Sequence, residues 1–304
     1  MPPKGRTNME RTNSKRLDSF ELTIADIAEA DLDALHALSM SVGWPHRAED
    51  WQMVRELGKG IVARDAIGRV LASAMWFNYA PDFTNIGMVI TSPRLQMLGA
   101  GRWMMNHVLA RTGSRAIGLN ATRSARRLYG SLGFVAERTV YQCNGEAVAP
   151  PEGSLPPGTR LRTLTRDDLD EIIALDLAAY NADRTHVLAR LLGVSKGVAL
   201  VRGDQMAAYS LCRRFGRGHL IGPVVAANDA DAIAVTRPHV ADHAGSFLRL
   251  DTRQKSGAFA EFLAQSGLPV FDTVTSMSLR RPWLVEETGS ETPIIYGLAT
   301  QALG

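Results

Sequence analysis

The sequence carries a weak internal repeat, and this repeat is the strongest constraint on its fold. Asp31-Leu32-Asp33 and Asp168-Leu169-Asp170 lie 137 residues apart, and the same spacing carries Gly60-Ile61-Val62 onto Gly197-Val198-Ala199. The first anchor is typical of the acidic start of an amphipathic helix, and the second of a buried strand after a glycine. The repeat predicts two related α/β halves, against the alternative of chance similarity.

The segment between the copies is rich in proline and glycine. It reads CNGEAVAPPEGSLPPG over 143–158 and has no hydrophobic period, which is typical of a linker. We therefore expect a first domain at 17–143, a linker at 144–158 and a second domain at 159–304. Residues 1–16 are basic and polar and are predicted to be a disordered tail. Their charges are not interleaved with aromatic residues, which argues against a nucleic-acid-binding arm.

Composition excludes several classes of protein. A length of 304 residues favours two domains, and no stretch approaches the roughly 18 apolar residues of a membrane span. The net charge of +3 is too small to indicate a nucleic acid as partner. Only Cys143 and Cys212 occur, neither at metal-ligand spacing, so we expect no metal site and a cytoplasmic location.

The first half has the pattern of a mixed sheet. Two apolar runs, 61–63 and 70–76, flank a turn at 65–68 and predict a hairpin, and 86–90 predicts a further strand. A helix over 101–111, a strand over 116–119 and a helix from Ser124 to about Leu132 follow. Strands that come first as an antiparallel group and then alternate with helices predict an α/β fold with a mixed sheet.

One segment carries the chemistry. After the strand at 86–90 and a turn at Pro93, Gln96-x-x-Gly99-x-Gly101 opens a helix. Glycines at such a junction let backbone N–H groups face an anion at the positive helix end, and a pyrophosphate suits that cradle. The alternative is a glycine-rich turn without a ligand. Neither the dinucleotide fingerprint nor a P-loop is present.

A second signature follows in Asn120-Ala-Thr122-Arg-Ser-Ala-Arg-Arg-Leu-Tyr129-Gly-Ser-Leu-Gly-Phe134. With both motifs, residues 20–140 resemble a domain of the GCN5-related N-acetyltransferase (GNAT) superfamily. The second half, around 221–226 and 296–299, resembles the C-terminal domain of its bacterial YitH-like branch. The resemblance implies tandem acyl-CoA N-acyltransferase folds, of which the second is degenerate.

The resemblance also implies roles for particular residues. Strand residues Val89, Ile90 and Thr91 would bind the pantetheine arm of acetyl-CoA and hold the thioester oxygen. Tyr129 would protonate the departing thiolate; the alternative is a packed core aromatic. The pyrophosphate would be held by the loop and helix start, that is by Gln96, Met97, Leu98, Gly99, Ala100, Gly101 and Arg102.

The sequence departs from the family pattern in two places. Thr122 stands where an asparagine usually contacts coenzyme A, with Asn120 nearby, and both are candidate cofactor ligands. The glutamate that often acts as general base on the strand before the loop is missing. His46, Asp50 and Asp82 are candidate bases, and an amine that arrives neutral needs none.

Substrate residues are expected near Trp44-Pro45-His46 and Asp50, where an exposed tryptophan beside a carboxylate would suit a cationic amine. In the second half, the repeat spacing places Ile233, Thr236 and Pro238 on the cradle positions, so this half should hold no pyrophosphate. It would cover the substrate mouth or pair across a homodimer. Asp251 would end a strand, either facing a cleft or making local hydrogen bonds.

The resulting hypothesis is an enzyme that transfers an acetyl group from acetyl-CoA to the primary amine of a small molecule by direct attack. A non-catalytic acyl-CoA-binding or ligand-sensing protein is the alternative. Acylation of proteins is a third, and would require an open groove.

Overall fold

The computed structural model describes residues 13–17, 20–284 and 292–304. The chain forms two compact units, in which unit 1 comprises the residues up to Phe77 together with Ile86–Ser114. Unit 2 comprises Asn78–Asn85 and Arg115–Gly304. The tip of one hairpin, 78–85, therefore belongs to unit 2 while the rest of its two strands belongs to unit 1.

Unit 1 is a sheet in the order β1-β2-β3-β4-β5 with three helices. Its elements are β1 Ser14–Leu17, β2 Phe20–Asp26, α1 Leu32–Ser41, α2 Ala48–Leu57, β3 Lys59–Arg64, β4 Val70–Tyr79, β5 Phe83–Thr91 and α3 Ala100–Thr112. The predicted hairpin is confirmed as β3 and β4, joined by a turn in which the Asp65 carboxylate accepts the backbone N–H of Arg69 at 2.9 Å. The core includes Trp51, fully buried and bonded through Nε1 to Ser39 Oγ at 3.2 Å.

The end of the predicted disordered tail is ordered. Residues 14–16 form β1 together with Leu17 and pair antiparallel with β2, from Ser14 opposite Thr23 to Leu17 opposite Phe20. Leu17 is buried, and this anchors a strand that is otherwise polar. Residues 1–12 lie outside the described residues.

In unit 2 the strands of the sheet follow the order β6-β13-β7-β12-β11-β10-β9-β8, with β14 paired to β11. The sheet is mixed, because β11 and β12 run parallel. Its strands are β6 Ala116–Ala121, β7 Val135–Glu146, β8 Thr159–Thr163, β9 Lys196–Arg202, β10 Gln205–Phe215, β11 Gly218–Ala226, β12 Phe247–Thr252, β13 Val270–Leu279 and β14 Ile294–Gly297. Its helices are α4 Arg126–Ser131, α5 Leu169–Tyr180, α6 Thr185–Leu192, α7 Asp229–Asp242 and α8 Ala258–Gln265.

The order of elements repeats along the chain. The series β2-α1-α2-β3-β4-β5-α3-β6-α4-β7 recurs as β8-α5-α6-β9-β10-β11-α7-β12-α8-β13. Strand β13, from the second copy, pairs with both β6 and β7 of the first. The division into compact units therefore does not fall at the predicted linker. Strand β7 runs to Glu146, and 147–158 contains no helix or strand.

The segment after β14 is held inside unit 2 by its main chain. Four consecutive carbonyl groups, 301–304, accept side-chain hydrogen bonds, so the segment is fixed with little dependence on its own side chains. The donors are Asn120 to Gln301 at 2.8 Å, Asn85 to Ala302 at 2.6 Å, Tyr79 to Leu303 at 2.9 Å and Arg184 to Gly304 at 2.6 Å.

A buried histidine makes the stability of unit 2 depend on pH. His239 is fully buried, its Nε2 lies 2.9 Å from Ser210 Oγ, and burial lowers its pKa from 6.5 to about 4. Asp242 opposes this shift, while His243 and Lys196 add to it. Between pH 6.5 and about 4, His239 is therefore protonated in the unfolded chain and neutral in the folded chain.

We expect the free energy of unfolding to fall by about 3 kcal/mol from this residue alone as the pH drops from about 6.5 towards 4. Urea unfolding across this range should show a shallower dependence on pH in His239→Gln. Identical slopes for the two proteins would contradict the prediction.

Candidate functional site

The predicted site residues fall into two groups, one in each unit. Unit 1 holds the strand, loop and helix start, and the candidate substrate residues Trp44, His46 and Asp50. Unit 2 holds Asn120, Thr122, Tyr129 and Asp251.

Strand β5 has an unusual backbone conformation just before the predicted pantetheine-binding residues. Met88 in β5 has a φ of +52°, a conformation that non-glycine residues rarely adopt. Its carbonyl accepts a hydrogen bond from Ser73 Oγ at 2.8 Å, which holds this conformation. Beyond it, Val89 and Thr91 are half-buried and Ile90 is buried. Met88 was not predicted from the sequence, because methionine gives no signal for a left-handed backbone.

The loop after β5 is a tight and exposed turn. Pro93–Leu95 forms one 3-10 turn, and Gln96 donates from Nε2 to the Thr91 carbonyl at 3.3 Å. Met97 has a φ of +67° and is fully exposed. Gly99 follows with a φ of +85°, a region that favours glycine, and directly precedes α3. Two left-handed residues thus turn the chain from the strand into the helix.

The start of α3 is electropositive. Trp103 N–H makes the first helical bond, to the Gly99 carbonyl at 3.1 Å, so the amides of Gly99, Ala100 and Gly101 have no acceptor within the helix. No acidic residue lies in the first turn, and Arg94 and Arg102 are exposed on either side of the loop. Amides, helix dipole and two guanidinium groups together favour an anion here.

The candidate substrate residues lie around α2. Trp44 and His46 are half-buried, with ring centroids 5.7 Å apart, and the His46 carbonyl lies 2.6 Å from His36 Nδ1. Asp50 is buried and caps α2, accepting the Arg47 backbone N–H at 2.9 Å and its guanidinium at 2.8 Å. That hydrogen bond raises the pKa of Arg47. The Asp50 carboxylate therefore stabilises the start of α2, in place of the substrate role predicted for it.

In unit 2 the two candidate cofactor ligands differ in their surroundings. The Asn120 side chain accepts from Ser276 Oγ at 2.7 Å and donates to the Gln301 carbonyl. Thr122 is half-buried, and its hydroxyl lies 3.1 Å from Ser124 Oγ. The Thr122 side chain therefore makes fewer hydrogen bonds within the protein than the Asn120 side chain does.

Tyr129 lies on α4, which is shorter than predicted. The helix spans Arg126–Ser131 and is preceded by Ala125 rather than capped by Ser124, while Gly133 ends it with a φ of +92° as expected. Tyr129 is buried and packs edge-on against Phe134 at 5.8 Å between ring centroids. Burial raises its pKa above the usual 10, so the phenol holds its proton at any physiological pH.

The remaining candidates are engaged in ion pairs within unit 2. Asp251 is fully buried in β12 and bonds Arg249 at 2.7 and 3.0 Å, which is the local role weighed above. Asp82 is exposed and pairs with Arg281 at 2.5 Å. Of the two, only Asp82 is open to solvent.

The second copy has a different residue set at its helix start. Helix α7, the counterpart of α3, begins at Asp229, so Ile233, Thr236 and Pro238 lie within it and not in a loop. Asn228 caps the helix and accepts the Asp231 N–H at 2.9 Å. Two carboxylates, Asp229 and Asp231, occupy the first turn and would repel a pyrophosphate.

Comparison with protein families finds that part of this chain is similar to an acetyltransferase domain. The model of the family Acetyltransf_18, described as an acetyltransferase (GNAT) domain, matches residues 172–290, within the second copy of the repeat. YitH, described as an uncharacterized N-acetyltransferase of Bacillus subtilis strain 168, is 25% identical over 281 residues, which are 91% of this chain and 96% of YitH.

Solved structures share the fold over most of the chain. A putative acetyltransferase from Pyrococcus horikoshii superimposes with a TM-score of 0.74 at 18% identity, covering 93% of this chain and 96% of its own. A tandem GNAT protein from the clavulanic acid biosynthesis pathway superimposes with a TM-score of 0.63 at 14% identity, covering 85% and 98%. These likenesses show that the chain has the same fold as these proteins.

Within the described residues no helix is long and apolar enough to span a bilayer, and no group of three or more potential ligands is placed to hold a metal ion.

Proposed function

We propose that this chain transfers an acetyl group from acetyl-CoA to the primary amine of a small molecule. Its residues 172–290 match the model of a GNAT acetyltransferase domain, and its fold is that of a tandem GNAT protein. The observation that carries the proposal is the turn from β5 into α3, in which the left-handed Met97 and Gly99 lead into a helix start without a carboxylate. Acetyl-CoA, when bound, supplies an activated thioester.

The residues of unit 1 would hold the donor. Amides at the start of α3 and the flanking arginines support binding of its pyrophosphate. Backbone groups of residues 89–91, which follow the left-handed Met88, would bind the pantetheine arm and hold the carbonyl oxygen as negative charge develops on it.

Tyr129 would serve as the acid of the reaction. The amine nitrogen forms a bond to the carbonyl carbon, the carbon–sulfur bond breaks, and the phenol proton moves to the sulfur. The surplus proton of the amine passes to water or to a base. His46 and Asp82 are the candidate bases, because the third candidate, Asp50, caps a helix. Burial raises the pKa of Tyr129, so the phenol carries its proton when the thiolate forms.

We extend the proposal to a cytoplasmic location and to a homodimer. Buried free thiols at Cys143 and Cys212 are compatible with a reducing cytoplasm. Light scattering on the purified protein would test the homodimer, and the acceptor panel below tests the amine class.

The loop offers a clean test of donor binding at Met97. Met97→Asp adds a negative charge at a fully exposed position whose left-handed backbone aspartate tolerates. We expect affinity for coenzyme A, measured by calorimetry, to fall about tenfold, as a charge a few ångströms from the pyrophosphate implies.

Met97→Asn is the matched control, since it has the same shape without the charge and should bind coenzyme A like the parent. Equal affinities for the two variants would contradict the placement of the pyrophosphate. Thiol release with a panel of primary amines then tests catalysis, and binding without release would favour the non-catalytic alternative.

A further inference from the structure

Unit 2 contains a small cavity that none of the proposed roles uses. Its volume is about 30 Å³, room for about two water-sized groups. Its walls combine two arginines with aromatic and aliphatic side chains, namely Arg138, Arg253, Tyr180, Trp283, Ile294 and Ile295.

Arg253 is the unusual member of this wall. Its Nε donates to Ser276 Oγ at 3.3 Å, but its Nη2 is buried and has no hydrogen-bond partner in the structure. Its guanidinium carbon lies 5.4 Å from the centroid of the Trp283 ring. Burial lowers the pKa of Arg253 to about 10, so the group remains charged at neutral pH. A buried donor on a charged group costs free energy unless an acceptor reaches it.

Among the described residues, little negative charge lies near Arg253. Both carboxylate oxygens of Glu137 accept backbone amides, those of Trp283 at 2.9 Å and Leu284 at 3.0 Å. Arg138 and Arg184 add positive charge that acts on Arg253. No ion pair to Arg253 occurs among the residues the structure describes.

The position of Trp283 is fixed by its neighbours. It rests on Gly118, where a Cβ would come within 1.5 Å of the indole ring, and it packs edge-on against Phe83 at 5.3 Å. The apolar wall of the cavity is therefore pre-formed beside the guanidinium group.

We propose that this cavity binds the carboxylate group of a small organic acid. The carboxylate would accept from Nη2 of Arg253, and the carbon adjoining it would pack on Trp283 and Ile295. The two carboxylate oxygens match the room for two water-sized groups, and the apolar wall disfavours a fully hydrated inorganic anion. The site is independent of acetyl transfer and does not rest on the proposed function.

The test compares acetate with acetamide, its neutral isostere, by calorimetry and by thermal unfolding in chloride-free buffer. We expect saturable binding of acetate in the millimolar range, a rise in the melting temperature, and no effect of acetamide. Equal responses to acetate and acetamide, or none to either, would overturn the proposal.

Variants locate the site. Arg253→Gln should weaken acetate binding about tenfold to a hundredfold, while Arg217→Gln, which removes an exposed arginine of the same unit, should leave it unchanged. Gln254→Glu supplies a carboxylate at the cavity wall and should abolish acetate binding while raising the melting temperature in its absence. Acetate binding retained at parental strength in Arg253→Gln or Gln254→Glu would place the anion elsewhere.

Discussion

Asp176→Ala will lower the free energy of unfolding of unit 2 by about 3–5 kcal/mol, because it leaves a buried guanidinium without its counter-charge. Asp176 and Arg184 are almost fully buried and share two hydrogen bonds, of 2.7 and 2.8 Å. Asp176 also accepts from the Tyr209 hydroxyl at 2.7 Å. Denaturant unfolding followed by circular dichroism would measure the loss.

Two controls separate the effect of leaving a buried charge unpaired from the effect of removing a carboxylate. Asp242→Ala removes an exposed partner of Lys196 and should cost about 1 kcal/mol or less. The double variant Asp176→Leu with Arg184→Met removes both buried charges and should recover much of the loss, since apolar replacements of a buried pair are often well tolerated. A loss in Asp176→Ala no larger than in Asp242→Ala would contradict the account.

Tyr129→Phe will lower kcat about a hundredfold while the Michaelis constant for acetyl-CoA stays unchanged, if the phenol protonates the departing thiolate. No hydrogen bond of the Tyr129 hydroxyl is found within the described residues, so its removal should cost little stability. Thiol release at saturating substrate would measure the change, and the melting temperature would report on folding.

Tyr141→Phe is the matched control, because Tyr141 is a half-buried tyrosine of the same unit to which no role is assigned. It should keep the parental kcat. If Tyr129→Phe kept it as well, Tyr129 would be a packed core aromatic, the alternative weighed from the sequence.

The elements of the first copy were well predicted where local signals and tertiary packing agree. Helix α3 was predicted over 101–111 and spans Ala100–Thr112, ended by Gly113 with a φ of +61°. Periodic apolar residues and a glycine that permits a left-handed backbone are sufficient signals. Helix α4 was predicted too long, because Ser124 bonds Thr122 rather than capping the helix.

The second copy shows where spacing alone fails. The spacing of 137 residues aligns α1 with α5 and β3 with β9, but α3 begins at Ala100 and α7 at Asp229, a difference of 129. Shorter loops in the second copy shift the register, so the predicted counterparts of Gln96, Gly99 and Gly101 fell inside a helix. The prediction that this half holds no pyrophosphate is now supported by the carboxylates of Asp229 and Asp231 at the start of α7.

The roles of Asp50 and Asp251 depend on side-chain contacts that the residue types and their spacing do not reveal. Asp50 beside two tryptophans suggested a substrate residue, yet its carboxylate caps α2 through Arg47. The carboxylate of Asp251 lies against Arg249, two residues earlier on the same strand. The limits of the two domains, 17–143 and 159–304, were predicted from the sequence repeat and remain a prediction.

The pairing of β13 with β6 and β7 has a consequence for how such a chain can evolve. Once a strand of the later copy has been inserted between two strands of the earlier one, neither copy can be lost or transferred to another gene alone, since each departure would open two unpaired strand edges. The second copy can therefore differ at the start of its helix α7 and still be retained for the strand that it contributes.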